Sequence, residues 1–313
     1  MLTFILKRLG SGVVLLFVIS CLTYSFLMMS GSGIARTILG QRATEEQVAL
    51  KAIELGLDRP FFERFVTWFT SAVQGDLGRS WFSGEVVSAA IATRLPVTLS
   101  LVIGTTVVAA LISVVLGVAA AVRRGWVDRV LQVVIVLGFA LPGFWIALML
   151  VRFFAIDLRL FPATGFVPIT TSFPGWLSTI TLPVTALVIG GIAGIAQQVR
   201  SSVINTLRQD YVRTLYSRGL SPVRVIGKHV LRNATGPALT VLALQFVGLL
   251  GGAVIVEQIF ALPGLGLLAV TATTRGDIPI VMGVVIVTAI VVVIVNLVMD
   301  ILNGWLNPKA RIA

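Results

Sequence analysis

The chain has 313 residues, of which 57% are hydrophobic and 12% charged, with mean hydropathy +1.01 and a formal net charge of +11. A soluble domain carries roughly a quarter charged residues, so this composition excludes an ordinary soluble protein and predicts an integral membrane one. A single cysteine, Cys21, excludes an internal disulfide and a cysteine-cluster metal site, and a single histidine, His229, excludes a histidine-rich one.

The chain opens with Lys7 and Arg8 ahead of an uncharged run, Ser11–Met29. A cleavable signal begins this way, but this apolar core is too long and no small-x-small site follows, so a first transmembrane helix is expected. Residues 30–96 form a long hydrophilic insertion. Within it, "EEQVALKAIELGLDRPFFERFVTWFTSAV" places Val48, Ile53, Leu55, Phe61, Phe65, Trp68 and Phe69 near helical spacing. Short amphipathic helices over the membrane surface are predicted there. They read either as a solvated cap or as a docking surface for an external partner.

Further uncharged runs follow at Val97–Val122, Val130–Val151, Leu160–Val199, Asn233–Val256 and Ile278–Met299. Each reaches the roughly 18–20 residues that cross a bilayer. Leu160–Val199 is too long for one span, and its first part holds Pro162, Gly165, Pro168, Pro174 and Gly175, which are loop formers. The fourth helix is therefore expected near Leu182–Val199. The expectation is an all-α integral membrane protein with six transmembrane helices, residues 1–313 forming one membrane domain.

Basic residues set the orientation. With both termini on one side, that side receives 1–10, 123–129, 200–232 and 300–313, with net charges of +2, +2, +6 and +1. The other side receives 30–96, 152–159 and 257–277, with 0, +1 and −1. The whole net charge falls on one face, which the positive-inside rule makes cytoplasmic.

Several chemistries are missing from the sequence. No phosphate-binding Gly-x-x-x-x-Gly-Lys-Ser/Thr loop is present, and no hydrolase signature. The spans carry no Lys, Arg, Asp, Glu or His within their apolar cores, and Glu257 and Asp300 are expected at span ends near the interface. Ion-coupled transporters use such groups at depth. A passive pore, a structural subunit or a permease driven by a partner remain. No cofactor is expected in the chain.

Polar and small residues do occur in the spans. They include Thr98, Ser100, Thr105 and Thr106 in the second, Pro142 and Gly143 interrupting the third, and Gln197 and Gln198 ending the fourth. Thr240, Gln245, Gly248, Gly251 and Gly252 mark the fifth, and Thr288 and Asn296 the sixth. Helix packing is one reading. The other is a translocation path lined by uncharged groups, with Gln245, Thr240, Gly248, Gly252 and Asn296 as candidates. Gln245 comes first, because a side-chain amide at that depth needs a partner or water.

The second hydrophilic insertion, 200–236, contains "DYVRTLYSRGLSPVRVIGKHVLRNATGP", with Arg213, Arg218, Arg224, Lys228 and Arg232 against Asp210 alone. Gly219 and Pro222 divide it into two helical pieces, expected at Asn205–Arg218 and Pro222–Asn233, with Ser221 as N-cap and Pro222 at the first helical position. Membrane lipid is one partner for these cations. Nucleic acid is not expected, because a loop tethered at both ends reaches few phosphates. A helix–glycine–helix hairpin suits a cytoplasmic protein partner better.

The stretch resembles the cytoplasmic loop of ABC-importer permeases of the dipeptide/oligopeptide group, typically Tyr-Val-Arg-Thr-Ala-x-Ala-Lys-Gly-Leu, then His-x-Leu-Arg-Asn-Ala and a proline. It matches at Tyr211, Val212, Arg213, Thr214, Gly219, Leu220, His229, Leu231, Arg232, Asn233, Ala234 and Pro237, and departs at Leu215, Ser217 and Arg218. "ILKRLGSGVVLL", "LGLDRPFFERFVTWFTSAVQGDLGRSW", "LPGFWIALMLVRFFAIDLRLFPATGF", "GGAVIVEQIFALPGLGLLAV", "DIPIVMGVVIV" and "LNPKARI" are similar to further family segments, in order. "MSGSG" at 29–33 departs from the family's Pro-Gly-Asp-Pro.

The resemblance implies a type I ABC-importer permease in a bacterial-type plasma (inner) membrane. Its implied partners are a second homologous permease subunit, ATPase domains on one or two subunits, and an extracytoplasmic substrate-binding protein. It makes the 200–236 loop the coupling element, with Arg213, Thr214, Arg218, Gly219, Leu220 and Ser221 docking on an ATPase. ATP hydrolysis would be the partners' work. Peptides are the implied cargo, with nickel chelates, glutathione, haem or oligosaccharides as alternatives, and a non-transporting scaffold as a reading of another class.

Overall fold

The computed structural model describes residues 2–30, 33–123 and 125–306. Residues 31–32 of "MSGSG" and 307–312 of "LNPKARI" lie outside the described residues. Regular structure among them is helical, apart from an isolated antiparallel bridge between Arg79 and Val86. Hydrocarbon offers no water to a bare amide, and a helix satisfies its backbone within one segment.

In chain order the helices are α1 (Leu2–Ser30), α2 (Ile34–Leu39), α3 (Glu45–Glu54), α4 (Phe61–Val73), α5 (Val87–Val122), α6 (Trp126–Ala140) and α7 (Gly143–Leu150), which a π-helical turn extends over Val151–Asp157. There follow α8 (Phe173–Leu207), α9 (Asp210–Ser217), α10 (Pro222–Arg224), a π-helical stretch Val225–Val230, α11 (Leu231–Ile259), α12 (Leu265–Arg275) and α13 (Ile278–Leu306). Among the described residues, five segments are long and apolar enough to cross a membrane: Gly10–Met29, Val87–Val122, Phe173–Leu207, Pro222–Ile259 and Ile278–Trp305. The remaining apolar run, Val130–Val151, is folded as α6 and α7. Pro142 has no amide hydrogen and holds Leu141 away from helical geometry, so the run breaks there.

Other boundaries differ from the sequence-based expectation too: the piece expected at Asn205–Arg218 is divided at Arg208–Gln209 between α8 and α9, and the second long helix starts at Val87 rather than Val97. The helix expected fourth, near Leu182, starts instead at Phe173, because Ser172 caps it, its Oγ accepting from the Gly175 amide at 3.2 Å. Pro174 sits in the first turn, where a missing donor costs nothing. The piece expected to end at Asn233 instead runs on without a break into α11, with Pro237 inside it.

The chain forms two compact units. One comprises Leu2–Pro96 and Pro263–Val293, the other Val97–Leu262 and the stretch from Ile294 on. In the first, the amphipathic helices expected in the 30–96 segment are α3 and α4. The aromatic stripe of α4 packs on α1: Phe65 and Phe69 meet Phe17 with ring centroids 5.9 and 5.4 Å apart, and Tyr24 lies 5.6 Å from Phe61 and 6.1 Å from Trp68. Such pairs add about 0.5–1.5 kcal/mol each beyond area burial. Helix α3 starts at a capping box formed by Thr44 and Gln47 and leaves Leu50 and Ile53 exposed.

Asp277, buried just ahead of α13, pins the 80–83 turn in the same unit. Its carboxylate accepts from the Ser80 hydroxyl and from the Trp81 amide at 3.1 Å, while Ser80 Oγ accepts the Phe82 and Ser83 amides at 3.2 and 3.0 Å. The carboxylate thereby substitutes for secondary structure that this loop lacks.

In the second unit α5 and α8 run parallel. Trp176 Nε1 donates to Ser100 Oγ at 3.1 Å, Ser113 Oγ donates to the Ile192 carbonyl at 3.1 Å, and a Cβ on Gly117 would lie 2.7 Å from the Ala196 carbonyl oxygen. A side chain at 117 would press on backbone, which cannot swing aside.

Two outcomes test this packing. Gly117→Val should destabilise the detergent-solubilised protein by about 1–3 kcal/mol, the cost of overpacking; Gly10→Ala, where a Cβ meets open space, should not, as read by thermal unfolding. Asp277→Ala should expose the 78–86 segment to limited proteolysis and cost about 1–3 kcal/mol, since it strands buried donors.

Candidate functional site

Helix α9 ends in a complete Schellman turn. Gly219 takes φ of +79°, its amide donates to the Tyr216 carbonyl at 2.9 Å, and the Leu220 amide donates to the Leu215 carbonyl at 3.3 Å. Glycine adopts this left-handed geometry without a Cβ clash. The accompanying apolar pair, Leu215 and Leu220, packs against the unit's core. Ser221 holds the N-cap backbone conformation of α10 and Pro222 the first helical position, but the Ser221 hydroxyl makes no cap bond. The position is set by the proline rather than by the hydroxyl.

The elbow so formed is anchored from below. Val212, Val225 and Val230 are fully buried, and Asn233 Nδ2 donates to the Tyr211 hydroxyl at 2.7 Å, tying α9 to the first turn of α11. Its outer side is exposed at Arg213, Thr214, Arg218, Gly219 and Ser221, with Leu220 half-buried. Arg213 stands 3.6 Å from Asp210 at high exposure, so the pair contributes little and leaves the guanidinium free to meet a partner. All six residues expected to dock lie on this one elbow.

A cavity of about 420 Å³ opens in the same unit among α6, α7, α8 and α11. Its walls include Gly138, Gly143, Gly190, Gly191, Gly248 and Gly252, with Phe144, Leu187 and Ile255, and no charged side chain. Gln245 is its polar group. The amide lies where a Cβ on Gly191 would have to go, and its Nε2 is buried without a hydrogen-bond partner among the described residues. A buried donor left open costs about 1–3 kcal/mol, so the site invites an acceptor. Gln245, Gly248 and Gly252 thus come together at the cavity. Thr240 does not, being exposed with its hydroxyl bonded back to the Gly236 carbonyl at 3.4 Å. Asn296 lies half-buried on α13, away from the cavity.

The burial of one span-end residue goes beyond the sequence reading. Glu257, expected at a span end near the interface, is fully buried in α11 and accepts a hydrogen bond from Thr98 Oγ1 of α5 at 2.6 Å. It stands two residues before the end of α11 at Ile259. Its helical phase carried the signal: Phe246, Leu249, Ala253, Val256 and Phe260 are buried at three- and four-residue steps, and Glu257 falls on that face.

Sequence reading also missed a polar contact at the mouth of α6 and α8. Asp128, in the polar connector before the third apolar run, receives two hydrogen bonds from Arg200 at 2.7 and 2.6 Å. The Arg200 hydrogen bond holds the Asp128 carboxyl below the ordinary carboxylate range. The sequence alone showed both residues but not that they face each other.

Comparison with known proteins agrees with this picture. Residues 113–312 match the family described as "Binding-protein-dependent transport system inner membrane component", and residues 1–102 match "Binding-prot-dependent transport system membrane comp, N-term". The chain is 36% identical over 335 residues to the di/tripeptide transport system permease protein DppB of Pseudomonas aeruginosa, covering 99% of each. It is 35% identical over 312 residues to the glutathione transport system permease protein GsiC of Escherichia coli O6:H1, again covering 99% of each. Among solved structures it is similar to a chain of an inward-facing MetNI methionine ABC transporter, with a TM-score of 0.56 and 14% identity over 70% of this chain and 97% of that one. That likeness speaks for the fold alone. With family matches over both halves and relatives aligned end to end, the chain belongs to the binding-protein-dependent transport system inner membrane components, among the peptide-type permeases of ABC importers.

Proposed function

We propose that this chain forms half of the pathway of an ATP-driven importer of di- or oligopeptides, and that the α9–α10 elbow seats in an ATPase subunit. The observation that carries the reading is the elbow itself: a rigid Schellman turn at Gly219 with exposed cations on an anchored base. A rigid protrusion transmits displacement, where a flexible loop would absorb it. The proposal includes a second homologous permease, ATPase domains on one or two subunits, and an extracytoplasmic binding protein. The basic segments 1–10, 123–129, 200–232 and 300–313 support cytoplasmic termini, and residues 30–96 would then meet the binding protein.

The pathway proposal rests on the cavity. Glycine walls expose backbone without side-chain bulk, and the lining offers one amide and no charge. Such a wall lets a zwitterionic solute pass without a deep charged trap, leaving selection to the binding protein. The alternation would be rigid-body movement driven by differential binding of nucleotide, with no covalent step in this chain. Glutathione is a second reading, favoured by the glutathione permease relative at 35% identity.

In vesicles holding the full transporter, Arg213→Glu should lower both uptake and solute-stimulated ATP hydrolysis on the order of ten-fold, the loss of a charge-assisted contact of about 1.5–3 kcal/mol, and Gly219→Pro, which can neither take φ of +79° nor donate to Tyr216, should lower both as well. Insertion should be unchanged. Wild-type rates in both variants would refute coupling through the elbow. Gly191→Leu should fill the cavity and abolish uptake while the ATPase subunits still co-purify; full uptake would remove the cavity from the pathway. Mass spectrometry of the solute retained by the cognate binding protein separates peptide from glutathione.

A further inference from the structure

Helices α6 and α8 meet through polar side chains in an otherwise apolar contact. Arg200 grips Asp128 with two hydrogen bonds, from Nε at 2.7 Å and from a terminal nitrogen at 2.6 Å. One turn along α6, Gln132 Nε2 donates to Gln197 Oε1 at 3.0 Å. Further along, a Cβ on Gly138 would lie 3.5 Å from the Ile189 carbonyl oxygen. Residue numbers rise on α6 as they fall on α8 by nearly equal steps. The helices are therefore antiparallel and matched at three levels.

Both helices lead to the places where function is proposed. Gly138 on α6 and Gly190 and Gly191 on α8 wall the cavity. From Arg200, α8 continues for about two turns to Leu207 and then hands the chain to α9. A purely apolar helix contact can slide, because one ridge resembles the next. A bidentate ion pair fixes distance and orientation. Its partners are only 22% and 20% exposed, so slipping by a turn would strand charges shielded from most of the water.

We propose that Asp128 and Arg200, helped by Gln132 and Gln197, are positioning residues that tie α6 to α8, so that displacement of the elbow reshapes the cavity wall in step. This rests on the proposed coupling through α9. The tie is a coupler that stays closed through the cycle. A gate built from the same residues would have to part in every cycle, and the two behave oppositely when locked.

The test uses the full transporter in vesicles with its binding protein and solute, in a Cys21→Ser background. Asp128→Arg should leave nucleotide hydrolysis in place and raise ATP consumed per solute imported about ten-fold, the scale of one charge-assisted bond. Adding Arg200→Asp to it should restore the ratio towards wild type, whereas Arg200→Lys, which keeps charge but loses the fork, should stay partly uncoupled. A Gln132→Cys/Gln197→Cys pair, joined by a short bis-thiol cross-linker, should cross-link both without nucleotide and with ATP trapped, and uptake should continue when locked. Cross-linking that arrests uptake, or that forms in one nucleotide state only, overturns the tie. Unchanged coupling in Asp128→Arg also overturns it, provided Arg213→Glu lowers uptake and ATP hydrolysis in parallel. Should Arg213→Glu leave both rates unaffected, it is the elbow reading that fails.

Discussion

Backbone amides without access to water dominate this structure. Each must be bonded inside its own segment wherever the chain lies in hydrocarbon. That is why the regular structure of the described residues is helical and why most breaks fall at proline or glycine. Leu141–Pro142 divides an apolar run that composition alone would leave whole. Pro96, Pro183 and Pro237 lie inside long helices without ending them.

The same solvent removes much of the usual drive for helix association, since lipid is as apolar as a leucine side chain. Close approach and local polar bonds take over. Gly117 brings α5 onto the backbone of α8, Gly191 makes room for the Gln245 amide, and Gly236 faces Asn303, whose Oδ1 lies 3.1 Å from where a Cβ would be. Thr98 to Glu257 and Asp128 to Arg200 add directional links at two depths. Apolar packing sets how near the helices come, and these polar pairs set their register.

Function follows from how one helix is shared. Helix α8 takes its place against α5, walls the cavity, meets α6 through polar side chains and ends at the elbow. On the proposed coupling, a displacement at α9 would cross the short Arg208–Gln209 turn into α8 and so reach the cavity wall. The chain needs no titrating group on the cavity wall for this. On the proposed function, work done by a partner would enter as rigid-body movement, which suits a member of a binding-protein-dependent transport family.

Much of this was legible in the sequence. Hydropathy marked the apolar runs, and the Gly219–Ser221–Pro222 spacing marked the elbow, because turn chemistry and membrane length are local properties. Helix ends were less legible: α8 begins at Phe173 because Ser172 happens to reach the Gly175 amide, and the aromatic stripe of α4 faces α1 because Phe17 and Tyr24 stand opposite. Gln245 could be named from its depth, but its open Nε2 depends on Gly191, which is 54 positions away. The burial of Glu257 was not foreseen, because position at a span end says nothing about which helix face is buried. The sequence by itself determined composition, spans and turn, each set by neighbours along the chain. Only the tertiary structure decided which polar groups meet, because Asp128 and Arg200, or Thr98 and Glu257, become neighbours through helix packing and not through sequence.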